Sequence, residues 1–374
     1  MKKILNIVLN DFKNDSRVLK TSRSLSKKGT IVTVAAMWAH GLKERESFSW
    51  GTVNRIKLRS RPLPKWKPLQ IIKYIEFSFR VFFNFRKVNI VHCNDLNALP
   101  IGILIKLFGD NVKVIYDCHE YETEMYGLAG IQKKLKKFLE RNLIKHADKV
   151  VCVSESIAKD YERIYNISKP YVVLNCPEFK EQKRSNLFRE ILGIREDQVI
   201  FLYQGALSRG RGIEILLEAF QNLNSGRHVL VCMGYGPLEP LIRSKARISD
   251  TIYFSPAVSP DVLLQYTSSA DFGVSFIEDS CLSYRFCLPN KVFEYLMAGV
   301  PILTSNLYEM KSLVDREKVG IAAESNTIEG FRRAVFYSEE LNYAEILQSV
   351  FQARKKYCWE NQELILDEIY NDFL

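Results

Sequence analysis

The sequence predicts an α/β protein with two Rossmann-like domains, each a doubly wound parallel sheet. At 374 residues the chain is longer than one ordinary hydrophobic core, which favours two domains. Short apolar runs of strand length alternate with amphipathic segments of helix length, as in parallel α/β sheets. This alternation occurs twice, with a polar stretch between the two series.

The elements follow in order from buried-strand runs rich in Val, Ile and Leu, and from apolar residues at helical spacing. The first half has strands near 4–9, 31–36, 89–93, 112–116 and 149–153, and helices near 15–28, 68–86, 97–108 and 130–146. The second half has strands near 199–204, 228–233, 251–254, 272–276, 301–304 and 319–322, and helices near 211–223, 238–246, 260–268, 290–298 and 327–337. The tail, 357–374, has a helical apolar pattern.

The polar stretch sets the expected domain boundaries. A hinge is predicted at 175–178, so we expect a first domain over 1–177, a second over 178–355, and a helix over 356–374 that packs back on the first domain. Parallel sheets bind ligands beyond the carboxyl ends of their strands. We therefore expect the two domains to face each other across a cleft, with site residues directly after strands.

Composition indicates a globular, cytoplasmic protein. Apolar residues make up 47% and charged residues 26% of the chain, and no run reaches the ~20 apolar residues that cross a bilayer. The apolar start resembles a short signal peptide, but Asn6, Asn10 and Asp11 interrupt it, and a first strand is predicted instead. The eight cysteines lack C-x-x-C spacing, which favours buried reduced thiols.

The charge is concentrated in the first half. Residues 1–177 contain 32 Lys and Arg against 16 Asp and Glu, whereas the remainder contains 21 against 27. Such a basic half predicts an anionic partner. The sequence has no zinc-finger spacing, RNP motif or basic recognition helix, which argues against nucleic acid. Two segments, 69–88 and 132–145, combine apolar residues with Lys and Arg, and predict either contact with anionic lipid headgroups or core helices with a solvated cationic side.

The most informative segment is 288–301. Pro289 and Asn290 predict a helix start that leaves the amides of about residues 290–292, including Val292, unpaired and able to bind a diphosphate. Lys291 adds a positive charge, and Glu294, one turn later, can accept hydrogen bonds from a ribose diol. The alternative is an ordinary capped helix.

Polar residues also follow strands of the first domain. Asp15 is a candidate helix cap, and Arg17, in the first helical turn, either reaches an anion in the cleft or pairs with Asp15. His119 follows a predicted strand, where a neutral imidazole or its carbonyl could contact a sugar hydroxyl. The pair Asn94 and Asp95 is either a loop cap or a hydroxyl-binding pair, and Glu120 follows His119; His92 is predicted to be a core residue.

Strand ends of the second domain carry glycines and arginines. Gly205 and Gly234 let the backbone approach a ligand closely. Arg209 and Arg211 offer planar donors to phosphate oxygens. Residues 255–258, including Val258, follow another strand and are candidates for contact with a base edge.

Taken together, these pieces resemble the retaining nucleotide-sugar glycosyltransferases of family 4, also called glycosyl transferases group 1, with the GT-B fold. The resemblance spans almost the whole chain and rests on 15–18, 116–120, 147–154, 205–219, 234–237, 270–271 and 290–301. It implies that Glu294 binds the donor ribose, that Arg211 binds the diphosphate, and that His119 lies beside the transferred sugar. It assigns the first domain to the acceptor and the second to the nucleotide sugar.

The chain departs from the family pattern at two places. The family often has Arg after the glycine at 205, where this chain has Ala206, and Arg209 is a candidate substitute. The first glutamate of the family pair would fall at Phe286, and Glu278 is a candidate replacement.

The expected activity is transfer of a sugar, with retention, from a UDP- or GDP-linked donor to a hydroxyl acceptor, such as a lipid-linked saccharide in cell-surface polysaccharide biosynthesis. Catalysis is expected from Arg211, Lys291 and His119, without a metal or cofactor, because no Asp-x-Asp motif is present. We expect a cytoplasmic enzyme on the inner face of the membrane. Alternatives are an epimerase or phosphorylase on the same fold, or a non-catalytic nucleotide-sugar-binding partner of another transferase. The sequence leaves the sugar, base, acceptor, linkage and oligomeric state open.

Overall fold

The fold is that of two α/β units. The computed structural model describes residues 1–64, 66–221, 223 and 226–374, so residue 222 of the helix predicted over 211–223 lies outside the described part. Unit 1 comprises Met1–Val173 and Glu363–Leu374, and unit 2 comprises Leu174–Gln362. Within the described ranges, no helix is long and apolar enough to cross a membrane.

The first series of elements lies in unit 1. Its strands are β1 (Lys3–Ile7), β2 (Ile31–Met37), β3 (Arg45–Phe48), β4 (Gly51–Ile56), β5 (Ile90–Asn94), β6 (Lys113–Cys118), β7 (Lys149–Cys152) and β8 (Tyr171–Val172). Its helices are α1 (Ser16–Lys27), α2 (Lys67–Phe85), α3 (Leu99–Phe108), α4 (Gly130–Leu143) and α5 (Glu155–Tyr165). The sheet order is β3-β4-β2-β1-β5-β6-β7-β8.

The second series lies in unit 2. Its strands are β9 (Val199–Ala206), β10 (His228–Tyr235), β11 (Ile252–Pro256), β12 (Phe272–Ser275), β13 (Ile302–Thr304) and β14 (Gly320–Ala322). Its helices are α6 (Leu187–Leu192), α7 (Ile213–Gln221), α8 (Glu239–Ala246), α9 (Pro260–Thr267), α10 (Leu282–Arg285), α11 (Asn290–Met297), α12 (Tyr308–Glu317), α13 (Ile328–Tyr337) and α14 (Tyr343–Lys356). The sheet order is β11-β10-β9-β12-β13-β14.

Both sheets are built for burial on two faces. In β9, Ile200 and Leu202 enter one core cluster, whereas Phe201 and Tyr203 enter the other. The strand pairings of unit 2 are parallel, and in unit 1 the described exception is β3, which runs antiparallel to β4. The predicted fold class is confirmed, because parallel strands covered on both faces by helices form a doubly wound sheet.

The C-terminal helix, α15 (Trp359–Asn371), carries the chain back to unit 1 from Glu363 onwards. Glu363 accepts a hydrogen bond from Lys27 Nζ at 2.9 Å, and Asp372 pairs with Lys149 at 2.9 Å. Tyr370 is buried within unit 1. The return of the tail to the first unit agrees with the predicted architecture.

The cysteines, all within the described ranges, are free thiols, most of them buried. Burial raises the pKa of Cys93 and Cys232, the latter to about 12. These side chains therefore act as small apolar core residues.

Candidate functional site

The start of α11 lies beside the end of β9 in unit 2. The helix begins at Asn290 after an extended Pro289, and no side chain of the described residues caps it. The amide of Val292 donates to the Pro289 carbonyl at 3.0 Å, and the Val292 side chain is buried in the core. The prediction that the Val292 amide is available to a ligand is therefore wrong, because the first turn already closes on it. Of the amides predicted to bind a diphosphate, those of Asn290 and Lys291 have no acceptor among the described residues and stay candidates.

Lys291 is a buried lysine. Its Nζ lies 3.5 Å from the centre of the Tyr203 ring, a short cation–π contact. Gly205 has a φ of 117°, a backbone conformation that favours glycine, and a Cβ there would make only an ordinary contact, at 3.8 Å, with Lys291 Nζ. Burial, and then the charge of Arg211, lower the pKa of Lys291 to about 7, although Glu294 opposes this shift. Lys291 is thus buried close enough to Arg211 for the two side chains to repel each other when both are charged, and Glu294 offsets only part of this effect.

Arg211 is held at the end of a glycine-rich loop. Its guanidinium lies 4.9 Å from the centre of the Tyr284 ring. Gly212, with φ 71°, admits no side chain, because a Cβ would lie 2.3 Å from the Phe276 carbonyl oxygen. Arg209, on the same loop, is exposed. The loop fixes Arg211 close enough to Lys291 to affect its charge, while Arg209 is left in solvent.

Glu294 is oriented by a relay of neutral side chains. Gln204 Nε2 donates to Glu294 Oε2 at 2.6 Å, and Gln204 Oε1 accepts from the Thr267 hydroxyl at 2.8 Å. Glu294 fixes which end of the Gln204 amide faces it, because a carboxylate only accepts and therefore requires Nε2; the single hydrogen of the Thr267 hydroxyl also has the Leu263 carbonyl at 2.8 Å. Sequence reasoning missed Gln204 and Thr267, although Gln204 directly precedes Gly205 at a strand end.

The remaining predicted donor residues surround this group in different ways. A Cβ at Gly234 would lie 1.9 Å from the Gly205 carbonyl oxygen, so a glycine is needed for the two strand ends to approach. Glu278 is half-buried, and its amide donates to Gly210 at 3.2 Å, next to Arg211. Val258 packs against the core cluster that contains Val292.

We call Arg211, Lys291 and Glu294 the Lys291 cluster.

Unit 1 contains a second charged group, centred on the buried Asp117. Arg17 Nε and Nη2 donate to its two oxygens at 2.9 and 2.7 Å, and Arg17 Nη1 donates to the Val173 carbonyl at 2.8 Å. Burial raises the pKa of Asp117, but Arg17 and His119 hold it well below its ordinary value. Both predictions for Arg17 are wrong, because a buried carboxylate, rather than a cleft anion or Asp15, satisfies its charge. Asp15 instead caps α1, accepting from the Val18 amide.

His119 adjoins this ion pair. Its Nε2 lies 3.2 Å from Asn94 Oδ1 and 3.5 Å from Asp117 Oδ2. Burial lowers the pKa of His119, but Asp95 and Asp117 raise it by more, to about 9. The expected neutral imidazole is therefore wrong for this structure, and both ring nitrogens are donors at neutral pH. Nδ1, at 3.6 Å from Asp95 Oδ1, lies beyond ordinary hydrogen-bond distance of that carboxylate and can donate to a ligand.

Asn94, Asp95 and Glu120 lie near His119 in the chain or in space, and the structure places them in ways that the sequence did not indicate. Asn94 is buried, and its Nδ2 donates to the Ile7 carbonyl at 3.1 Å, so it is neither a loop cap nor an exposed hydroxyl-binding group. Asp95 has a left-handed backbone, φ 67°, and remains partly exposed beside His119. Glu120 is half-buried in the following turn. We call Arg17, His92, Asp117 and His119 the Asp117 cluster.

The two clusters differ in chemical capacity. The Lys291 cluster presents a guanidinium and a lysine amine beside two helix-start amides, those of Asn290 and Lys291, that have no acceptor among the described residues, a set of donors suited to phosphate oxygens. The Asp117 cluster presents a single oriented imidazolium donor. Among the described residues, no group of three or more His, Cys, Asp or Glu side chains is placed to hold a metal ion.

Family models match both halves of the chain. The model described as Glycosyltransferase Family 4 matches residues 16–177, and the model described as Glycosyl transferases group 1 matches residues 198–337. Together they cover most of the chain.

Individual relatives are distant. The chain is 25% identical over 233 residues to the lipopolysaccharide 1,2-N-acetylglucosaminetransferase of Salmonella typhimurium, covering 57% of this chain and 59% of that protein. Across two curated relatives, the matched region spans 62% and 59% of their length, about three fifths.

Solved structures align over the full chain. Sucrose-phosphate synthase from Thermosynechococcus elongatus aligns with a TM-score of 0.82 at 18% identity, covering 100% of this chain and 99% of that one. HepE from Anabaena, solved in complex with UDP, aligns with a TM-score of 0.73 at 12% identity, covering 100% of both chains. At these identities the alignments show a shared fold.

Proposed function

Because this chain belongs to the glycosyltransferases of family 4 and group 1 and has the GT-B fold, we propose that it transfers a sugar from a nucleoside-diphosphate sugar to a hydroxyl acceptor. The donor carries UDP or GDP, and the anomeric configuration is retained. One observation carries the proposal: Lys291 is buried in the first turn of α11, over the Tyr203 ring, and Arg211 is close enough to lower its pKa. A diphosphate supplies the negative charge that this pair lacks.

The donor binds through three features of unit 2. Arg211 and Lys291 contact the diphosphate together with the amides of Asn290 and Lys291, and Glu294 accepts hydrogen bonds from the ribose diol. The hydrogen bond from Gln204 supports this role, because it holds the Glu294 carboxylate in one orientation. HepE bound to UDP supports a uridine donor as the first candidate.

The reaction breaks the bond between the anomeric carbon and the diphosphate oxygen, and forms a bond from the same face to the acceptor oxygen. The acceptor proton passes to the departing diphosphate. Arg211 and Lys291 stabilise the negative charge that develops on the leaving group, the kind of fixed electrostatic stabilisation that often dominates catalysis. His119 donates Nδ1–H to a sugar hydroxyl. Arg211 and Lys291 neutralise the diphosphate charge that a metal ion would otherwise neutralise. We therefore expect the reaction to proceed in the presence of a chelator.

A surface of unit 1 supports a lipid-linked acceptor. α2 exposes Ile71, Ile72, Ile75, Phe79 and Phe83, and α4 exposes Ile131, Leu135 and Phe138. α3 packs against both α2 and α4, so the three helices are neighbours, and α3 ends in the exposed Leu107 and Phe108. We call this the α2–α4 surface.

The positive charge beside these apolar side chains indicates an anionic partner for the α2–α4 surface. α4 carries exposed Lys134, Lys137 and Arg141, and Lys145 follows it. Exposed apolar side chains flanked by cations are typical of helices that lie on anionic headgroups. We propose that the α2–α4 surface rests on the anionic inner face of a membrane and brings the enzyme to a lipid-linked saccharide of cell-surface polysaccharide biosynthesis.

The activity is tested by incubating the full chain with a panel of nucleotide sugars, with and without lipid-linked acceptor extracts. The proposal expects nucleoside diphosphate release that requires acceptor, unchanged by EDTA, and a product whose anomeric coupling in NMR matches the donor. If the nucleotide sugar stabilises the protein against thermal unfolding but no nucleoside diphosphate is released under any condition, the protein would instead be a non-catalytic nucleotide-sugar-binding partner of another transferase. A changed sugar without acceptor would identify an epimerase.

Membrane binding is tested by sedimentation with phosphatidylglycerol vesicles at low and high salt. We expect binding at low salt that weakens as salt rises, because exposed charges are screened. Replacing Lys134, Arg141 and Lys145 with Glu should abolish it. The matched control replaces three exposed unit 2 cations, Arg247, Lys311 and Lys355, with Glu and should still bind. Equal loss in both variants would contradict a specific surface.

A further inference from the structure

Two strand ends of unit 1 hold an aromatic ring beside two cations. β2 and β4 are parallel, with Met37 opposite Ile56, so Trp38 and Lys57 are the first residues beyond the edge of the sheet. The Trp38 amide donates to the Ile56 carbonyl at 3.1 Å, which keeps the two strand ends together. Lys57 Nζ lies 4.9 Å from the centre of the Trp38 ring, and Arg61 Cζ lies 5.0 Å from it. We call Trp38, Lys57 and Arg61 the Trp38 cluster.

Hydrogen bonds to the backbone hold the Trp38 cluster in place. Arg61 Nη1 donates to the Trp38 carbonyl, which ties this cation to the residue whose ring it adjoins. Glu76 of α2 accepts from the amides of Arg59 and Ser60 at 2.7 and 2.8 Å, so the segment just before Arg61 is fastened to α2. The cluster is therefore an ordered arrangement of side chains from two strand ends.

Nearby carboxylates leave the charge of the Trp38 cluster largely unbalanced. Glu46 pairs with the buried Arg55. Glu44 lies 3.8 Å from Lys57 Nζ, beyond hydrogen-bond distance, and both side chains are exposed. No carboxylate of the described residues pairs with Arg61. A cation–π contact is weak at an exposed site and uses no N–H donor of the cation. The two cations thus remain available to an anion, at strand ends where parallel sheets bind ligands.

The chain leads from the Trp38 cluster directly into the α2–α4 surface. α2 follows β4, and Lys73 Nζ of α2 donates back to the Leu63 carbonyl at 2.7 Å. At the start of α2, Trp66 is 73% exposed, and Ile71 and Ile72 are exposed as well. Tryptophan is enriched at the headgroup level of membranes. Along this stretch cations give way to apolar side chains, the order in which phosphate and lipid follow each other at a membrane surface.

We propose that the Trp38 cluster binds a phosphate group of the acceptor, at the junction between its lipid and its saccharide. Guanidinium and ammonium groups are the usual side-chain donors to phosphate oxygens. The use of this phosphate site by an acceptor rests on the proposed function, whereas phosphate binding at the cluster does not.

The sheet places the Trp38 cluster and His119 on one edge. The strands lie in the order β4-β2-β1-β5-β6, and His119 follows β6. Because neighbouring strands lie about 4.8 Å apart, the end of β6 is about 14 Å from the end of β2 and about 19 Å from the end of β4. A short saccharide along this edge, with its phosphate on the Trp38 cluster, would extend toward His119.

The first experiment follows the Trp38 indole N–H signal in ¹H–¹⁵N spectra of the full chain during titration with inorganic pyrophosphate. Trp38 Nε1 donates to the Leu42 carbonyl at 2.7 Å, so this hydrogen has a defined position and reports on its surroundings. The variant Trp38→Phe assigns the signal. We expect a saturable shift in the wild type. Lys57→Gln/Arg61→Gln should weaken the affinity about tenfold or more, because two charged donors are lost.

The matched control is Arg86→Gln/Lys87→Gln, which removes two exposed cations at the other end of α2. It should bind pyrophosphate near Trp38 as the wild type does. Both double variants keep the Lys291 cluster, so pyrophosphate bound there affects them equally. A Trp38 signal that does not move in the wild type, or that shifts with the same affinity in both double variants, would overturn the proposal.

The second experiment separates an acceptor phosphate from a phospholipid headgroup. Lys57→Gln/Arg61→Gln should still sediment with phosphatidylglycerol vesicles, because the cations of α4 are intact. With saturating donor, it should raise the apparent KM for the lipid-linked acceptor extract about tenfold or more. It should leave unchanged the use of the saccharide released from that extract by mild acid, which lacks the phosphate.

Two outcomes of the second experiment would contradict the acceptor assignment. One is loss of vesicle binding with an unchanged acceptor KM, which would assign the Trp38 cluster to phospholipid headgroups. The other is an equal loss with both forms of the acceptor. A wild type without any transferase activity would count against the proposed function, and the pyrophosphate titration would still decide whether the Trp38 cluster binds phosphate.

Discussion

The two units hold their buried cations in opposite electrostatic states. In unit 1, Arg17 is paired with the ionised Asp117, and the pKa of His119 is raised to about 9. In unit 2, burial and the neighbouring Arg211 lower the pKa of Lys291 to about 7. In the Asp117 cluster the cations face a buried, ionised carboxylate, whereas in the Lys291 cluster the Glu294 carboxylate offsets only part of the effect of burial and of Arg211 on Lys291. Only the second has the electrostatics expected of a site for an anionic ligand.

The largest effect is expected from Arg17→Met. Removing one partner of a buried ion pair leaves Asp117 uncompensated and should reduce the free energy of unfolding by about 3–5 kcal/mol. Chemical denaturation measures this loss. Arg23→Met, at an exposed position of the same helix, is the control and should change stability little. A small effect at Arg17 would mean that the Asp117 cluster is not closed as described.

Lys291→Met should raise the free energy of unfolding, whereas Arg17→Met lowers it, and it should also weaken donor binding. We expect UDP or GDP affinity to fall about 100-fold, since hydrogen bonds to charged groups contribute roughly 1.5–3 kcal/mol each. The folded chain holds fewer protons than the unfolded chain between pH about 7 and 10.5, because the pKa of Lys291 is lower when folded. The cost of burying the charge is therefore fully present below pH about 7 and disappears toward 10.5.

Thermal unfolding across pH checks this sign. Lys291→Met should raise Tm most near pH 6 to 7, by at least about 2 °C, and the gain should shrink as pH rises. Lys311→Met, at an exposed lysine of the same unit, should show no such trend. A variant less stable than the wild type at pH 7 would show that Lys291 is not electrostatically strained.

Glu294→Ala separates ribose recognition from diphosphate recognition. Loss of two hydrogen bonds to the diol should weaken UDP or GDP binding about tenfold or more and leave the fold intact. Inorganic pyrophosphate should bind as before, because it has no ribose, whereas Arg211→Ala should weaken both ligands. Calorimetric titration with the two ligands tests this, and unchanged nucleotide affinity would remove Glu294 from the site.

The smallest signal expected is a proton taken up on binding. At pH 8 Lys291 is largely neutral in the absence of ligand, and a diphosphate raises its pKa, so binding should take up close to one proton. Titrations in two buffers of different ionisation enthalpy measure it. Lys291→Met should take up none, and proton release by the wild type would contradict the assignment.

Local patterns were sufficient to predict most of the fold. Every predicted strand is present, because strands buried on both faces are continuous apolar runs. β3 and β4 were missed, since their residues are mostly polar and their pairing depends on partners elsewhere. The two-residue β8 and the helices α5, α6, α10, α12 and α14 were also missed, and the pattern did not separate them from their flanking loops.

The candidate site could be predicted where its residues belong to a sequence motif at the start of a predicted helix. Lys291 and Glu294 lie on a helix start, so their placement follows from the sequence. The partner of Arg17 could not be inferred, because Asp117 is 100 residues away and meets it only when β1, β5 and β6 assemble. Arg17 was nevertheless noticed as a cation opposing the helix dipole. Gln204 and Thr267 gave no such signal.

The most direct test is a crystal structure with UDP or GDP bound. Our account predicts diphosphate oxygens within hydrogen-bond distance of Arg211, Lys291 Nζ and the amides at the start of α11, with the ribose on Glu294. A nucleotide whose diphosphate lies away from Arg211 and Lys291 would contradict the central claim that this cationic pair was left unbalanced to bind it.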